Sequence, residues 1–270
     1  MGKAVTWLVG ENVTLGLVVY RLISLAGFAL IMWALPRIAK QIGGDPALAL
    51  WLGAANPVML LHLIGGMHNE AVMVGLVSVG LLWCLRSRWC TPGIALIALA
   101  VSLKATAAVA LPFVVWLMVK RRSATTLGAA GMLVACGAWA LAVNVAVIQL
   151  VTWASGTTWG WLEEITGNSK VINPLAGPTL AAELITPVLQ LVDDTFRYNT
   201  ALTWTRTIFS ALMLVGLAVV WWIFRPRRGE DYERRAVAGT TAAYAVAFAT
   251  NAVTLPWYYA SVISLAGTFK

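Results

Sequence analysis

The chain has 270 residues, 60% of them hydrophobic and 11% charged, with a mean hydropathy of +0.80. A soluble domain of that size cannot bury so much apolar surface in one core, so composition excludes a water-soluble globular protein and indicates an all-α, multi-span membrane protein. The net charge of +8 would suggest nucleic acid in a soluble chain, but here the basic residues stand at the ends of apolar runs, where they orient spans, so the implied partner is the lipid bilayer and not nucleic acid.

In chain order, a first span is predicted from about Thr14 to Leu35, stopped by Pro36 and anchored by Arg37 and Lys40. A second runs from Pro46 to Leu63, opened by Asp45 as N-cap and kinked at Asn56-Pro57. A third covers Asn69 to Leu85. The apolar run from Gly93 to Val119, ended by Lys120, Arg121 and Arg122, is too short for two full crossings of ~20 residues each. Further spans are predicted from Thr125 to Leu150, Thr205 to Phe224 and Ala236 to Val253.

Charge decides how the short run is threaded. As a re-entrant hairpin of two half-helices, it gathers about 12 of the 19 basic residues on one cytoplasmic face, whereas a single crossing would split them nearly evenly. The hairpin places Lys104 near its outer tip. The outside then receives the His62–Glu70 cluster, the segment from Val151 to Trp204, and the C-terminal "TLPWYYAS". Residues 1–270 read as one transmembrane domain in the cell membrane, with 151–204 as an external loop. That loop carries Trp153, Trp159, Trp161, Glu163, Glu164, Glu183, Asp193 and Asp194, and a short interfacial helix in "LAAELITPVLQLV" broken by Pro187. Cys84, Cys90 and Cys136 are too few and too poorly placed for a disulfide framework.

Several polar residues in this apolar setting need a reason. Lys104 costs ~2.5–3.5 kcal/mol at membrane depth on insertion scales. Its stem either snorkels to the headgroups, or its ammonium holds a phosphate and stabilises it as a leaving group. "GGMHNE", Gly65 to Glu70, admits three readings. It is a helix start with Asn69 as cap and Glu70 at the positive helix end. Alternatively His62, His68 and Glu70 are ligands for a divalent metal, although H-x5-H-x-E matches no established spacing and the sequence leaves metal dependence open. In the third, the glycines permit close approach and the polar groups bind sugar or phosphate. Asp193-Asp194 read as a helix start, and Arg197 and Arg206 as interfacial anchors or anion binders.

At "NPVMLLHLIGGMHNEAVMVGL", with "SLKATAAVALPF" downstream, the sequence resembles the actinobacterial polyprenyl-phosphomannose-dependent α-1,6-mannopyranosyltransferases. "TWGW", "NPLAGPT" and "LPWYY" are similar to external segments of that family. The resemblance implies a partial GT-C glycosyltransferase fold that takes mannose from a polyprenyl-phosphate-mannose donor to a growing α-1,6-mannan, the lipomannan and lipoarabinomannan core, outside the cell membrane. It implies His62, Gly66, His68, Asn69, Arg206, Trp257 and Tyr258 as substrate-binding residues, Lys104 as a phosphate contact, and Glu70 as a weak candidate base. It also implies a chain truncated at both ends, because the match begins within the family pattern and the acid-bearing first external loop is not found. The rival reading is a transporter or lipid-linked sugar flippase, with Lys104 and Glu70 lining a pathway and Asn56-Pro57 as a gate. A membrane scaffold subunit, with the polar cluster only a turn, is the third.

Overall fold

The computed structural model describes residues 2–122, 126–160, 171–227 and 229–269, and among them the regular structure is helical, with no strand. A short α1 (Gly2–Val9) precedes α2 (Val13–Gln41), whose first turn is capped by the Asn12 side chain accepting from the Leu15 amide at 2.9 Å. Pro36 does not stop α2, contrary to the predicted end at Leu35. A proline removes one helical hydrogen bond, which a membrane helix tolerates when neighbouring groups satisfy the freed carbonyls. One residue on, the Arg37 guanidinium donates to the Trp33 carbonyl, next to the Met32 carbonyl that loses its helical donor at Pro36, at 2.6 Å and lies over the Trp33 ring.

The predicted second span is broken. Asp45 caps α3 (Pro46–Gly53) as expected, accepting from the Ala47 and Leu48 amides, but the helix ends at Gly53. The chain resumes after Asn56-Pro57 as a π-helical segment, Met59–Gly65. Asn56 bridges the break, its amide donating to the Leu52 carbonyl and its oxygen accepting from the Met59 amide. That segment meets α4 (Glu70–Leu85) at 111°.

Nearly every side chain of α4 is buried, and α4 packs between α2 and α5 (Cys90–Leu103). Gly27 sets the α2–α4 distance, since a Cβ there would fall 2.5 Å from the Ala71 carbonyl carbon. Close backbone approach through small residues is how helices associate without a hydrophobic driving force in lipid.

The short apolar run after α4 forms the hairpin expected of it. Helix α5 ends at Leu103, Lys104 is extended with φ −158°, a 3-10 turn covers Ala105–Ala110, and α6 (Leu111–Arg122) returns. Arg121, near the end of α6, donates to the carbonyls of Cys84 and Leu85, both at 2.6 Å, and pairs with Glu233 at 3.0 Å. Gln41 donates to the same carboxylate at 2.9 Å. The ends of α2, α4 and α6 therefore meet at one end of the bundle, where α10 begins.

The described residues also form α7 (Thr126–Ser155), α8 (Gly177–Gln190), α9 (Tyr198–Ile223), α10 (Tyr232–Thr250) and α11 (Ala260–Ala266). Among the described residues three helices are long and apolar enough to cross a membrane: Val13–Gln41, Ala130–Ser155 and Tyr198–Ile223. The bent pair formed by the π-helical segment and α4 makes a fourth if counted as one span. Helix α10, the predicted Ala236–Val253 span, is not among them, because Glu233, Arg234 and Arg235 occupy its first turn and Thr250 ends it.

Three local expectations are corrected. Pro187 leaves α8 continuous, and Asn69 makes no capping hydrogen bond although it precedes α4. Asp193 folds back on the amide and hydroxyl of Thr195, which hold its carboxyl below the usual carboxylate range, while α9 starts at Tyr198. In the predicted external segment, Trp153 belongs to the last turn of α7, and Trp161, Glu163 and Glu164 lie outside the described residues.

Candidate functional site

The end of the bundle away from Arg121 holds a polar cluster built by three chain reversals. The first is the turn between the π-helical segment and α4, the second is the Lys104 tip between α5 and the 3-10 turn, and the third is the 3-10 turn Pro256–Tyr259. Glu70, 4% exposed, lies in the first turn of α4, and its Oε1 pairs with Lys104 Nζ. The ammonium also lies over the Tyr258 ring, 3.2 Å from its centroid. A buried carboxylate with an ammonium is stable only when both are matched, and an aromatic face adds attraction for the cation. Lys104 thus does not merely snorkel; its charge is held inside the cluster.

Beside this pair runs an aromatic shelf. His68 stacks on Trp257 with centroids 3.9 Å apart and planes 13° from parallel, and His62 stands 5.5 Å from Trp257 and 6.0 Å from His68. Gly66 makes this possible, because a Cβ there would sit 2.8 Å from both His68 Cδ2 and the His62 carbonyl oxygen. Met67 follows at φ 53°, a left-handed conformation that disfavours side chains.

Two further contacts fix the shelf from behind. Asn173 of "NPLAGPT" donates to the Thr254 carbonyl and accepts from the Leu175 amide, tying residues 171–177 to the loop that carries Trp257 and Tyr258. Tyr244 of α10, fully buried, donates to the Ala107 carbonyl in the turn after Lys104. On the far face of the 256–259 turn lies an apolar cavity of about 620 Å³ bordered by Leu175, Leu180, Phe248, Leu255, Pro256 and Tyr259.

Of the residues singled out from sequence, Glu70, Lys104, His62, His68, Gly66, Trp257 and Tyr258 therefore come together. Asn69 is exposed beside them. Arg206 is engaged elsewhere, donating to the Val171 carbonyl at 2.7 Å. The divalent-metal arrangement is not formed: Glu70 is engaged by Lys104, the histidines face Trp257, and among the described residues no three His, Cys, Asp or Glu are grouped to hold an ion. Arg21 and Ser24 of α2 join the cluster without having been anticipated, donating to the Ile64 and Leu63 carbonyls. The signal for Arg21 was available, since a charge inside an apolar run is rare and usually functional.

Chemically, the arrangement offers a cation for an anionic group, a carboxylate, and flat faces suited to the apolar side of a sugar ring. The family model described as "Alpha-(1->6)-mannopyranosyltransferase, N-terminal domain" matches residues 1–120. The alpha-(1->6)-mannopyranosyltransferase A of Corynebacterium glutamicum is 54% identical over the whole chain, which covers 56% of that relative. The protein of the same name from Mycobacterium tuberculosis is 37% identical over 98% of the chain and 50% of the relative. The chain thus spans about half the length of the curated relatives it matches. No solved structure matches it. With that identity running from end to end, the chain belongs to the alpha-(1->6)-mannopyranosyltransferase family.

Proposed function

We propose that the Glu70–Lys104 cluster is the donor side of a mannosyl-transfer site. The substrate is mannose on a polyprenyl phosphate, and the acceptor is an α-1,6-linked mannan. The observation that carries this reading is the half-buried ammonium held between a buried carboxylate and the Tyr258 ring, beside the His68–Trp257 shelf. A cation in that setting matches a phosphate whose negative charge grows as the sugar leaves. The shelf suits the sugar, and the neighbouring apolar cavity suits a lipid chain.

In the transfer, the acceptor's 6-hydroxyl attacks the anomeric carbon. The carbon–oxygen bond to phosphate breaks, the electron pair leaves with the polyprenyl phosphate, and the hydroxyl proton passes to a base. A β-linked donor then gives an α-linked product with inversion. Lys104 compensates the departing phosphate. Glu70, with Oε1 engaged by Lys104, holds that ammonium in place and is a weaker choice as the base.

Arg121 and Arg235 gather at the opposite end of the bundle, and the positive-inside preference supports reading that end as cytoplasmic and the cluster as facing outward. The test supplies membranes carrying the protein with labelled polyprenyl-phosphomannose and a short α-mannoside. Transfer should be lost in Lys104→Ala and sharply reduced in His68→Ala. Transfer unchanged in Lys104→Ala, Glu70→Ala and His68→Ala overturns the site, and solute counterflow without transfer points to a transporter instead.

A further inference from the structure

A helix leaves its last carbonyls without intrahelical partners, and burying them unpaired is costly. The π-helical segment ends at Gly65, so the carbonyls of Leu63 and Ile64 are in that position. Helix α2 supplies both missing donors. Ser24 Oγ, buried, donates to the Leu63 carbonyl at 2.6 Å, and the Arg21 guanidinium donates to the Ile64 carbonyl. The two residues are three apart, so they lie on one face of α2 and meet consecutive carbonyls. The cation also complements the negative end of the segment.

What these contacts hold is a turn that local preference would not hold by itself. Met67 takes the left-handed conformation at φ 53°, which glycine adopts freely and other residues resist. Immediately after it, His68 must pack on Gly66 and stack on Trp257. A shift of the turn would move His68 off the indole. Gly27 anchors α2 against α4 near Ala71, so α2 offers a fixed support.

We propose that Arg21 and Ser24 are positioning residues of the transfer site: they cap the end of the π-helical segment from α2 and thereby fix His68 against Trp257. This rests on reading the cluster as the site of sugar transfer. Neither residue is assigned a contact with substrate.

The chain has two histidines, both in this cluster, so labelled imidazoles report it directly. With isotopically labelled histidine in detergent or nanodiscs, the ring signals of His68 should be displaced by the stacked indole of Trp257. In Arg21→Gln and Ser24→Ala that displacement should shrink, and transfer should fall about tenfold to a hundredfold in kcat with KM changed less than about threefold. Arg21→Lys should keep part of both, and Ser24→Thr most of both. Arg37→Gln, at the opposite end, should leave the histidine signals unmoved. If Arg21→Gln does not fold, Ser24→Ala and Arg21→Lys carry the same comparison. An unmoved His68 signal in Ser24→Ala and in whichever Arg21 variant folds overturns the proposal, even if transfer is lost. A different result separates the underlying reading: if Trp257→Ala abolishes the displaced signal but leaves transfer intact, the site assignment falls while the capping role stands on the signals.

Discussion

The two ends of the helix bundle use positive charge differently. At the Arg121 end, guanidinium groups are committed to backbone carbonyls: Arg121 to Cys84 and Leu85, Arg235 to Ile223 and Arg225, Arg225 to Trp222. Each closes a helix terminus, and replacing one with a ligand would leave an orphaned carbonyl. At the other end, Lys104 meets a carboxylate and an aromatic ring. Those partners do not depend on the lysine to complete a backbone ladder, so the ammonium can turn to an anion without unfolding a helix. The arginines of the basic end pair with carboxylates as well, Arg121 with Glu233 and Arg235 with Glu230, but each is also committed to helix-end carbonyls, whereas the described contacts of the Lys104 ammonium are to side chains. Arg21 is the informative mixture: it sits at the polar end but is used like an arginine of the basic end.

The contrast gives a graded set of expectations. The largest effect on transfer belongs to Lys104→Gln, which should lower it ~100-fold or more per folded molecule and should also lower the melting temperature, because buried Glu70 loses its partner. Arg121→Gln should also cost about 2–4 kcal/mol of stability, through two lost carbonyl contacts and an unpaired Glu233, but with transfer per folded molecule retained. Denaturant titration and transfer assays on the same membranes check both. If both variants lose activity per folded molecule alike, the distinction between the ends is wrong.

Smaller effects sharpen the picture of the shelf. Gly66→Ala should drive His68 away from Trp257 and reduce transfer roughly tenfold, because its Cβ has no room. Asn173→Ala should cost about 1–2 kcal/mol by freeing residues 171–177 from the Thr254 loop, seen as faster proteolysis of that segment. The smallest effect is at Asp193. Its carboxyl is held below its usual range by Thr195, so the stabilisation is present above the unfolded carboxylate's value and lost as pH falls through the lowered one. Asp193→Asn should therefore leave transfer unchanged at neutral pH, and a loss there would bring this turn into the site.

Much of this was legible in the sequence, and the reasons are specific. The apolar runs and the arginine clusters sufficed for most of the helices and for the hairpin at Lys104, because length and charge are readable without neighbours, but not for the break of the Pro46–Leu63 run into two segments. Asp45 followed from local chemistry as a cap. Pro36 and Pro187 misled, since each removes a hydrogen bond without ending its helix in this setting. Asn69 also misled, because its position before α4 is right for a cap but its side chain is not used as one. The ion pair joins residues 34 apart, and the shelf joins His68 to Trp257 across most of the chain. Such pairings have no local pattern. The resemblance to a family named the residues; only the fold shows that Glu70 is buried against Lys104 and that Arg206 is occupied elsewhere.

The most direct measurement replaces the whole ion pair at once, by Glu70→Leu with Lys104→Met. A buried pair exchanged for apolar side chains of similar size leaves no unmatched charge and is often neutral for stability. The double variant should melt within about 4 °C of the original protein and transfer no mannose from labelled polyprenyl-phosphomannose. Transfer at the original rate from the double variant would show that the pair serves only the fold, and would contradict the role assigned to Lys104.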